Sequence, residues 1–202
     1  MRVLCVMIGY LFGCFLTAEA VARRNTGKSA CEIGSKNPGM ANMVNVFGVK
    51  WGAVTLLGDI LKTAVPCMLC RFVLFPSLGP VAILYAGLGA ALGHGFPFWN
   101  HFRGGRGVAV TCAYIVLFSP LWGILANLLG LFVRIVTQYP AAGALVIPAS
   151  FLIPVFCVYG MEAGCVALAG TALLFFLHRD SLYRMVHKSE KKSDLIAKMK
   201  HL

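Results

Sequence analysis

Apolar runs separated by short polar stretches set the architecture of this chain. The first run, residues 3–22, follows Arg2 and closes at Arg23-Arg24. Its end contains Ala18-Glu19-Ala20 and Ala20-Val21-Ala22, small-residue sequences of the kind cleaved from signal peptides. Positive charge directly after the run instead holds that end in the cytoplasm, so the run reads as an uncleaved span with the N-terminus outside. A polar, glycine-rich stretch covers 23–48. The second span runs over 49–72 and is interrupted by Asp59 and Lys62. After the turn Pro76-Ser77-Leu78-Gly79-Pro80, a third span over 81–92 is rich in alanine and glycine, which let helices approach closely. An apolar run over 108–133 is broken at Ser119-Pro120. Two further runs, 141–159 and 161–177, are divided by Gly160 and Glu162, and the tail from 178 is strongly basic.

Charge placement decides whether 108–133 is one helix or two. With a turn at Ser119-Pro120, loops 23–50, 93–107 and 134–140 share one side with the tail. That side gathers Arg23, Arg24, Lys28, Lys36, Lys50, Arg103, Arg106, Arg134, Arg179, Arg184 and the lysines from 188 onward. Arg2 and Arg71 lie opposite, and Lys62 lies within the second span. A single helix would reverse the parity and put the basic tail outside, which the positive-inside rule opposes. The expected fold is therefore an all-α integral membrane protein, a bundle of about seven transmembrane helices with the N-terminus outside and the C-terminus cytoplasmic. The fourth crossing has about 12 residues, or ~18 Å at 1.5 Å per residue, too short to span fully. The glycine loop before it is expected to dip below the membrane surface. Segments 34–45, 93–107 and 178–190 then meet on the cytoplasmic face.

Composition agrees with this reading. The 202 residues are 59% hydrophobic and 12% charged, against about 25% charged in soluble domains, and the mean hydropathy is +0.80. A single multispan domain over 1–190 with a basic cytoplasmic tail over 191–202 suits this length. The net charge of +11 points to cytoplasmic loops or anionic ligands rather than to nucleic acid. Eight cysteines are scattered, mostly in apolar runs, and read as small helix residues, the Cys67-x-x-Cys70 pair included. The seven acids, Glu19, Glu32, Asp59, Glu162, Asp180, Glu190 and Asp194, form no cluster, so neither a metal site nor a cofactor is expected.

The chemistry concentrates at Gly93-His94-Gly95-Phe96-Pro97-Phe98-Trp99-Asn100-His101-Phe102-Arg103-Gly104-Gly105-Arg106-Gly107. Topology calls for the arginines but not for the glycine pair between them, nor for His94 just before. Arginine forks bind phosphate oxygens in a bidentate manner, and glycines expose backbone N–H groups. Gly107 opens a helix whose N-terminal amides also attract anions. In Gly34-Ser35-Lys36-Asn37-Pro38-Gly39-Met40-Ala41-Asn42, a hydroxyl, an ammonium and two amides offer further donors, although Asn-Pro and Pro-Gly also mark ordinary turns. Asp59 and Lys62 stand on one helix face and can pair, either to brace the bundle or to serve the site indirectly. The segment from His178 to Glu190 can act as a basic amphipathic helix on anionic lipid.

Together these motifs resemble the acyl-phosphate-dependent glycerol-3-phosphate acyltransferases of bacteria. The family shows G-S-G-N-x-G-A-T-N, D-x-x-K-G, G-H-x-F-P-x-F-x-x-F-K-G-G-K-G-V-A-T and H-R-x-N-I-x-R. Their counterparts here are residues 34–42, 59–63, 93 to Ala109, and His178-Arg179-Asp180-Ser181-Leu182-Tyr183-Arg184 up to Glu190. The resemblance spans Gly9 to Glu190 and implies transfer of a fatty acyl group from acyl phosphate to the 1-hydroxyl of glycerol 3-phosphate. The products would be lysophosphatidate and phosphate, in the first step of phospholipid synthesis. It implies substrate-binding roles for Ser35, Asn37, Gly39, Asn42, Arg103, Gly104, Gly105, Arg106, Gly107, Arg179 and Arg184, with His178, His94 and Ser35 as catalytic candidates. Loops would clamp the two phosphates, the acyl tail would lie between helices, and the acceptor's own phosphate would take the hydroxyl proton. If a side chain takes it instead, His178 or His94 is the candidate. The implied partners are glycerol 3-phosphate, fatty acyl phosphate and membrane lipids, with no nucleic acid and no required protein partner. The implied location is the bacterial inner membrane, multi-pass, with the active site facing the cytoplasm.

The chain departs from the family pattern at named positions. Asn45 stands where the family has a phosphate-binding arginine, and Ser181 where it has asparagine. Lys36 replaces a glycine, Ala41 a threonine, and Arg103 and Arg106 replace lysines. Lys36 is expected to supply the charge that Asn45 lacks. The departures also leave open a changed acceptor. A lipid-alcohol phosphotransferase would need clustered aspartates for metal. A transporter or binder of anionic lipid or phosphate is the alternative from another class, yet the polarity sits at one face rather than along a path.

Overall fold

The computed structural model describes residues 1–190 and 192–193. Most of the expected basic tail, residue 191 and residues 194–202, lies outside the described residues. The described chain is helical throughout, with no strand among the described residues. In order the helices are α1 (Arg2–Gly13), α2 (Thr17–Thr26), α3 (Met40–Phe47), α4 (Val49–Met68), α5 (Val81–Gly95), α6 (Val108–Phe118), α7 (Pro120–Thr137), α8 (Pro140–Pro154), α9 (Gly160–Leu177) and α10 (Arg179–Val186). Among the described residues, five stretches are long and apolar enough to cross a membrane: Arg2–Thr26, Val49–Leu74, Val81–Asn100, Pro120–Thr137 and Pro140–Leu177, with Val108–Phe118 a shorter apolar helix. The last stretch is interrupted at Gly160, which has φ +84° and opens α9. Prolines account for two further irregularities. Pro66 lies inside α4, and Pro154 ends α8; each removes a backbone donor, and a wider π-helical turn follows at Leu69–Leu74 and Val155–Tyr159.

The chain divides into two compact units, Met1–Phe118 and the part from Ser119 onward. In the first unit α1 packs along α5. Gly9 and Gly13 of α1 lie against the backbone of Ala86 and Ala90, while Gly89 and Gly93 of α5 lie against Val6, Tyr10 and Gly13. Two glycines four residues apart on each helix thus remove the side chains that would hold the backbones apart. In the second unit α7 packs on α8, and α8 on α9. Gly130 and Gly143 make the close approach between α7 and α8. One face of α7 is bare of protein: Leu121, Leu128, Phe132 and Val136 are all exposed, as expected of a helix solvated by lipid rather than water.

One expected span is not continuous. The run 3–22 breaks at Cys14–Leu16, between α1 and α2. The break releases two carbonyls from helical bonding, and both find partners: Trp99 Nε1 donates to Cys14 O at 2.8 Å, and Lys62 Nζ donates to Phe15 O at 2.7 Å. The expected break at Ser119-Pro120 is present. Ser119 is extended (φ −143°, ψ 96°) and Pro120 starts α7 with its fixed φ.

Candidate functional site

The first unit brings two of the three polar segments together. The loop between α2 and α3 is built around two buried polar side chains, Glu19 and Asn42. Glu19 pairs with Arg23 at 2.6 Å and accepts hydrogen bonds from Ser29 Oγ and Ala30 N. Asn42 accepts from Ser35 N at 2.8 Å and donates to Ala30 O and Ile33 O. Every polar atom of the Asn42 amide is therefore spent on shaping the loop. Ser35 and Lys36 are held on its exposed rim, and Asn37 is half-buried above Gly39. Neither the Ser35 hydroxyl nor the Lys36 ammonium has a protein partner among the described residues. Lys36 adopts φ +58°, the left-handed conformation that glycine takes without strain.

The second loop runs from the end of α5 to Gly107. Tyr10 donates to Phe96 O at 2.9 Å, and Trp99 anchors the loop to the break after α1. His101 and Phe102 are consecutive left-handed residues (φ +52° and +57°), held by Phe102 N to Pro97 O and by Asn100 Nδ2 to Arg103 O at 2.7 Å. This turn folds the glycine pair back over α5. Gly105 N donates to His94 O at 2.9 Å. A Cβ on Gly104 would strike the carbonyls of His94 and Gly95, and one on Gly105 would strike His94 Nε2 and crowd Pro38 O. Only glycine fits at either position. Because Pro38 belongs to the first loop, the same contact joins the two loops.

Cys31 is a second junction. It lies against Asn100 Nδ2 and Arg103 O, and burial pushes its thiol above the ordinary range, so it meets Arg103 as a neutral group. Arg103 is exposed, and its guanidinium has no carboxylate partner among the described residues. Arg106 is half-buried and Gly107, with φ +76°, is buried at the entrance to α6. Asn45 is exposed on α3. The result is a pair of rigid loops bearing an uncompensated arginine, an uncompensated lysine and a backbone without side chains. That arrangement suits an oxyanion.

Beneath the glycine pair lies a group the sequence only half revealed. Asp59 and Lys62 form a buried ion pair at 2.9 Å, with an orientation outside that of a hydrogen bond. Lys62 also reaches His94 Nδ1 at 2.8 Å. Glu19, in sequence a residue of a possible cleavage site and one of seven scattered acids, is in the structure a buried anchor of the first loop. Its signal was available: an acid within an apolar run, four residues before Arg23.

The third segment, 178–190, belongs to the second unit. His178 is buried, and its Nδ1 lies 2.9 Å from Leu174 O. A carbonyl only accepts, so Nδ1 carries the proton. Arg184 donates to buried Ser181 Oγ at 3.0 Å and pairs with Glu190. Arg179 is exposed, stacks over Phe176 at 4.6 Å and donates to Phe176 O. Each of the eight cysteines is a free thiol.

Apolar helices of this length, joined by polar loops with a glycine pair between arginines, suit an integral membrane protein of the kind that handles phosphate-bearing substrates. The model of the glycerol-3-phosphate acyltransferase family matches residues 3–188, and the chain belongs to that family. Glycerol-3-phosphate acyltransferase 1 of Lactobacillus johnsonii is 37% identical over 96% of this chain and 94% of its own length. The Lactobacillus acidophilus protein of the same name is 38% identical over 98% and 95%. Among solved structures, the crystal structure of PlsY, an integral membrane glycerol 3-phosphate acyltransferase, in its glycerol 3-phosphate form superposes with a TM-score of 0.84. It is 25% identical and covers 95% of this chain and 94% of that one.

Proposed function

We infer that this protein is an acyltransferase that moves a fatty acyl group from acyl phosphate to the 1-hydroxyl of glycerol 3-phosphate, releasing lysophosphatidate and phosphate. The observation that carries the reading is the Gly104-Gly105 pair, pressed onto His94 and Pro38 in a loop that bears Arg103 and Arg106. A phosphate resting on that pair meets bare backbone and fixed positive charge. The hydroxyl oxygen of the acceptor bonds to the acyl carbonyl carbon, the bond from that carbon to the phosphate oxygen breaks, and phosphate leaves with the electron pair. The hydroxyl proton passes to the acceptor's own phosphate. Acyl phosphate is already activated, so alignment and neutralisation of charge on the leaving phosphate supply most of the acceleration.

Arg103 and Arg106 bind phosphate oxygens, and Ser35, Lys36 and Asn37 add donors from the neighbouring loop. Lys36 supplies the positive charge that Asn45 does not. Asn42 and Gly39 shape that loop. Within the second unit's own segment, Arg179, an exposed cation, is assigned to phosphate binding, and buried His178 to catalysis. Arg184, engaged by Glu190 and Ser181, braces its own segment. The basic loops favour about seven crossings with this chemistry on the cytoplasmic face of a bacterial inner membrane and the N-terminus outside. The test is purified protein with palmitoyl phosphate. Consumption that requires glycerol 3-phosphate and yields lysophosphatidate supports the assignment; equal turnover with glycerol or water sinks the acceptor.

A further inference from the structure

A buried carboxylate, ammonium and imidazole meet beneath the glycine pair. Lys62 Nζ lies 2.9 Å from Asp59 Oδ1, 2.8 Å from His94 Nδ1 and 2.7 Å from Phe15 O. Asp59, Lys62 and His94 are 3%, 6% and 4% exposed. An ammonium has three protons and no lone pair, so toward Phe15 O and His94 Nδ1 it donates, with Asp59 as its ion-pair partner. Nδ1 of His94 therefore turns its lone pair toward Lys62, and the neutral ring keeps its proton on Nε2.

The arrangement is the reverse of a carboxylate–histidine pair. There the carboxylate takes the Nδ1 proton and leaves Nε2 as a base. Here Asp59 Oδ1 is 3.8 Å from His94 Nδ1, and Lys62 stands between them. Asp59 offsets the buried ammonium, which alone would be costly, and the ammonium fixes the ring. Nε2 is the atom that a side chain on Gly105 would strike, so its N–H lies directly under the glycine pair.

We propose that the Asp59–Lys62 pair is a positioning device that locks His94 as a neutral hydrogen-bond donor, its Nε2–H offered to a phosphate oxygen of the substrate held at Gly104-Gly105. The proposal rests on that loop being the phosphate cradle. It removes His94 from the candidate bases: the residue donates, and its bound proton stays on the ring throughout the reaction.

Nitrogen NMR of the full-length protein, labelled at histidine and purified in detergent, tests this without any need for turnover. The expected wild-type spectrum has His94 protonated at Nε2 and bare at Nδ1, and glycerol 3-phosphate shifts the Nε2 signal. Lys62→Met is expected to mix the two tautomers; should that variant not fold, the wild-type spectrum decides alone. A wild-type ring protonated at Nδ1, or an Nε2 signal indifferent to both glycerol 3-phosphate and palmitoyl phosphate, overturns the proposal. Kinetics give an independent arm. His94→Gln keeps a donor but no base and is expected to raise KM for a phosphate-bearing substrate less than about 10-fold, against roughly 100-fold for His94→Phe. Equal inactivation by both variants would also overturn it. If the protein transfers no acyl group at all, the functional reading falls, while the tautomer and its dependence on Lys62 still stand or fall on the spectrum.

Discussion

His94 and His178 are both buried imidazoles, and the two regions treat them differently. In the first unit Nδ1 of His94 lies 2.8 Å from the Lys62 ammonium, and the proposed tautomer makes Nε2 a donor. In the second, Nδ1 of His178 donates to the Leu174 carbonyl. The arginines differ likewise. Arg103 has no carboxylate partner among the described residues, whereas Arg184 is paired with Glu190 and bonded to Ser181. One region stores uncompensated positive charge over a bare backbone. The other pairs Arg184 with Glu190 and Ser181 and ties Nδ1 of His178 to a backbone carbonyl. The same residue types thus serve two tasks, and the partner of Nδ1 decides which.

The largest effect that could break this comparison is at His178. On the proposed catalytic role of His178, replacing it with Phe costs on the order of 100-fold, the effect of a misplaced nucleophile. The loss is expected in kcat, whereas His94→Phe acts on KM. If both variants change the same parameter to the same degree, the two histidines do not have separate tasks. Next comes Gly105→Ala. The new methyl group would occupy the place of His94 Nε2, so the loop must lift from α5. Activity is expected to fall about 100-fold while the helical content by circular dichroism stays at the wild-type level. An undiminished rate would mean that no phosphate uses the pair. Arg103→Ala should be somewhat milder. A hydrogen bond to a charged group contributes about 1.5–3 kcal/mol, so KM for a phosphate-bearing substrate is expected to rise roughly 10- to 100-fold with thermal stability unchanged. Arg184→Ala is expected to do the reverse, lowering the midpoint of thermal unfolding more than it raises KM.

Much of this was legible in the sequence because it is carried by local pattern. Apolar runs gave the helices, Ser119-Pro120 and Gly160 gave two of the breaks, and the glycine–arginine loop stood out from its apolar flanks. The break at Cys14–Leu16 was not legible, since its residues are as apolar as those around them. Its cause is distant: Trp99 and Lys62 take the carbonyls that it frees. The contact between Lys62 and His94 joins residues 32 positions apart on different helices, and no spacing rule announces it. Asn42 looked like a ligand because it sits in a loop of donors. Only its three partners reveal an amide already spent. Motif reading finds residues that matter but does not separate those that touch a substrate from those that hold the residues that do.

The smallest effect sharpens the comparison most, because it bears on a departure from the family. Lys36 stands where the family has glycine, yet its backbone keeps the left-handed conformation at φ +58°. For a residue with a Cβ this costs about 1–2 kcal/mol. Gly34 at φ +55° and the bond from Ser35 N to Asn42 hold the loop around it. A strained residue with an exposed ammonium is retained only if the charge is useful. Lys36→Gly should therefore stabilise the protein by about 1 kcal/mol, read as a raised midpoint of thermal unfolding, while affinity for glycerol 3-phosphate falls several-fold. Adding Asn45→Arg to that variant should restore the affinity, since it returns a positive charge to α3, the helix that the loop enters. A Lys36→Gly protein that gains stability and loses no affinity would show that the charge of the first loop is idle and that Arg103 and Arg106 alone hold the anion.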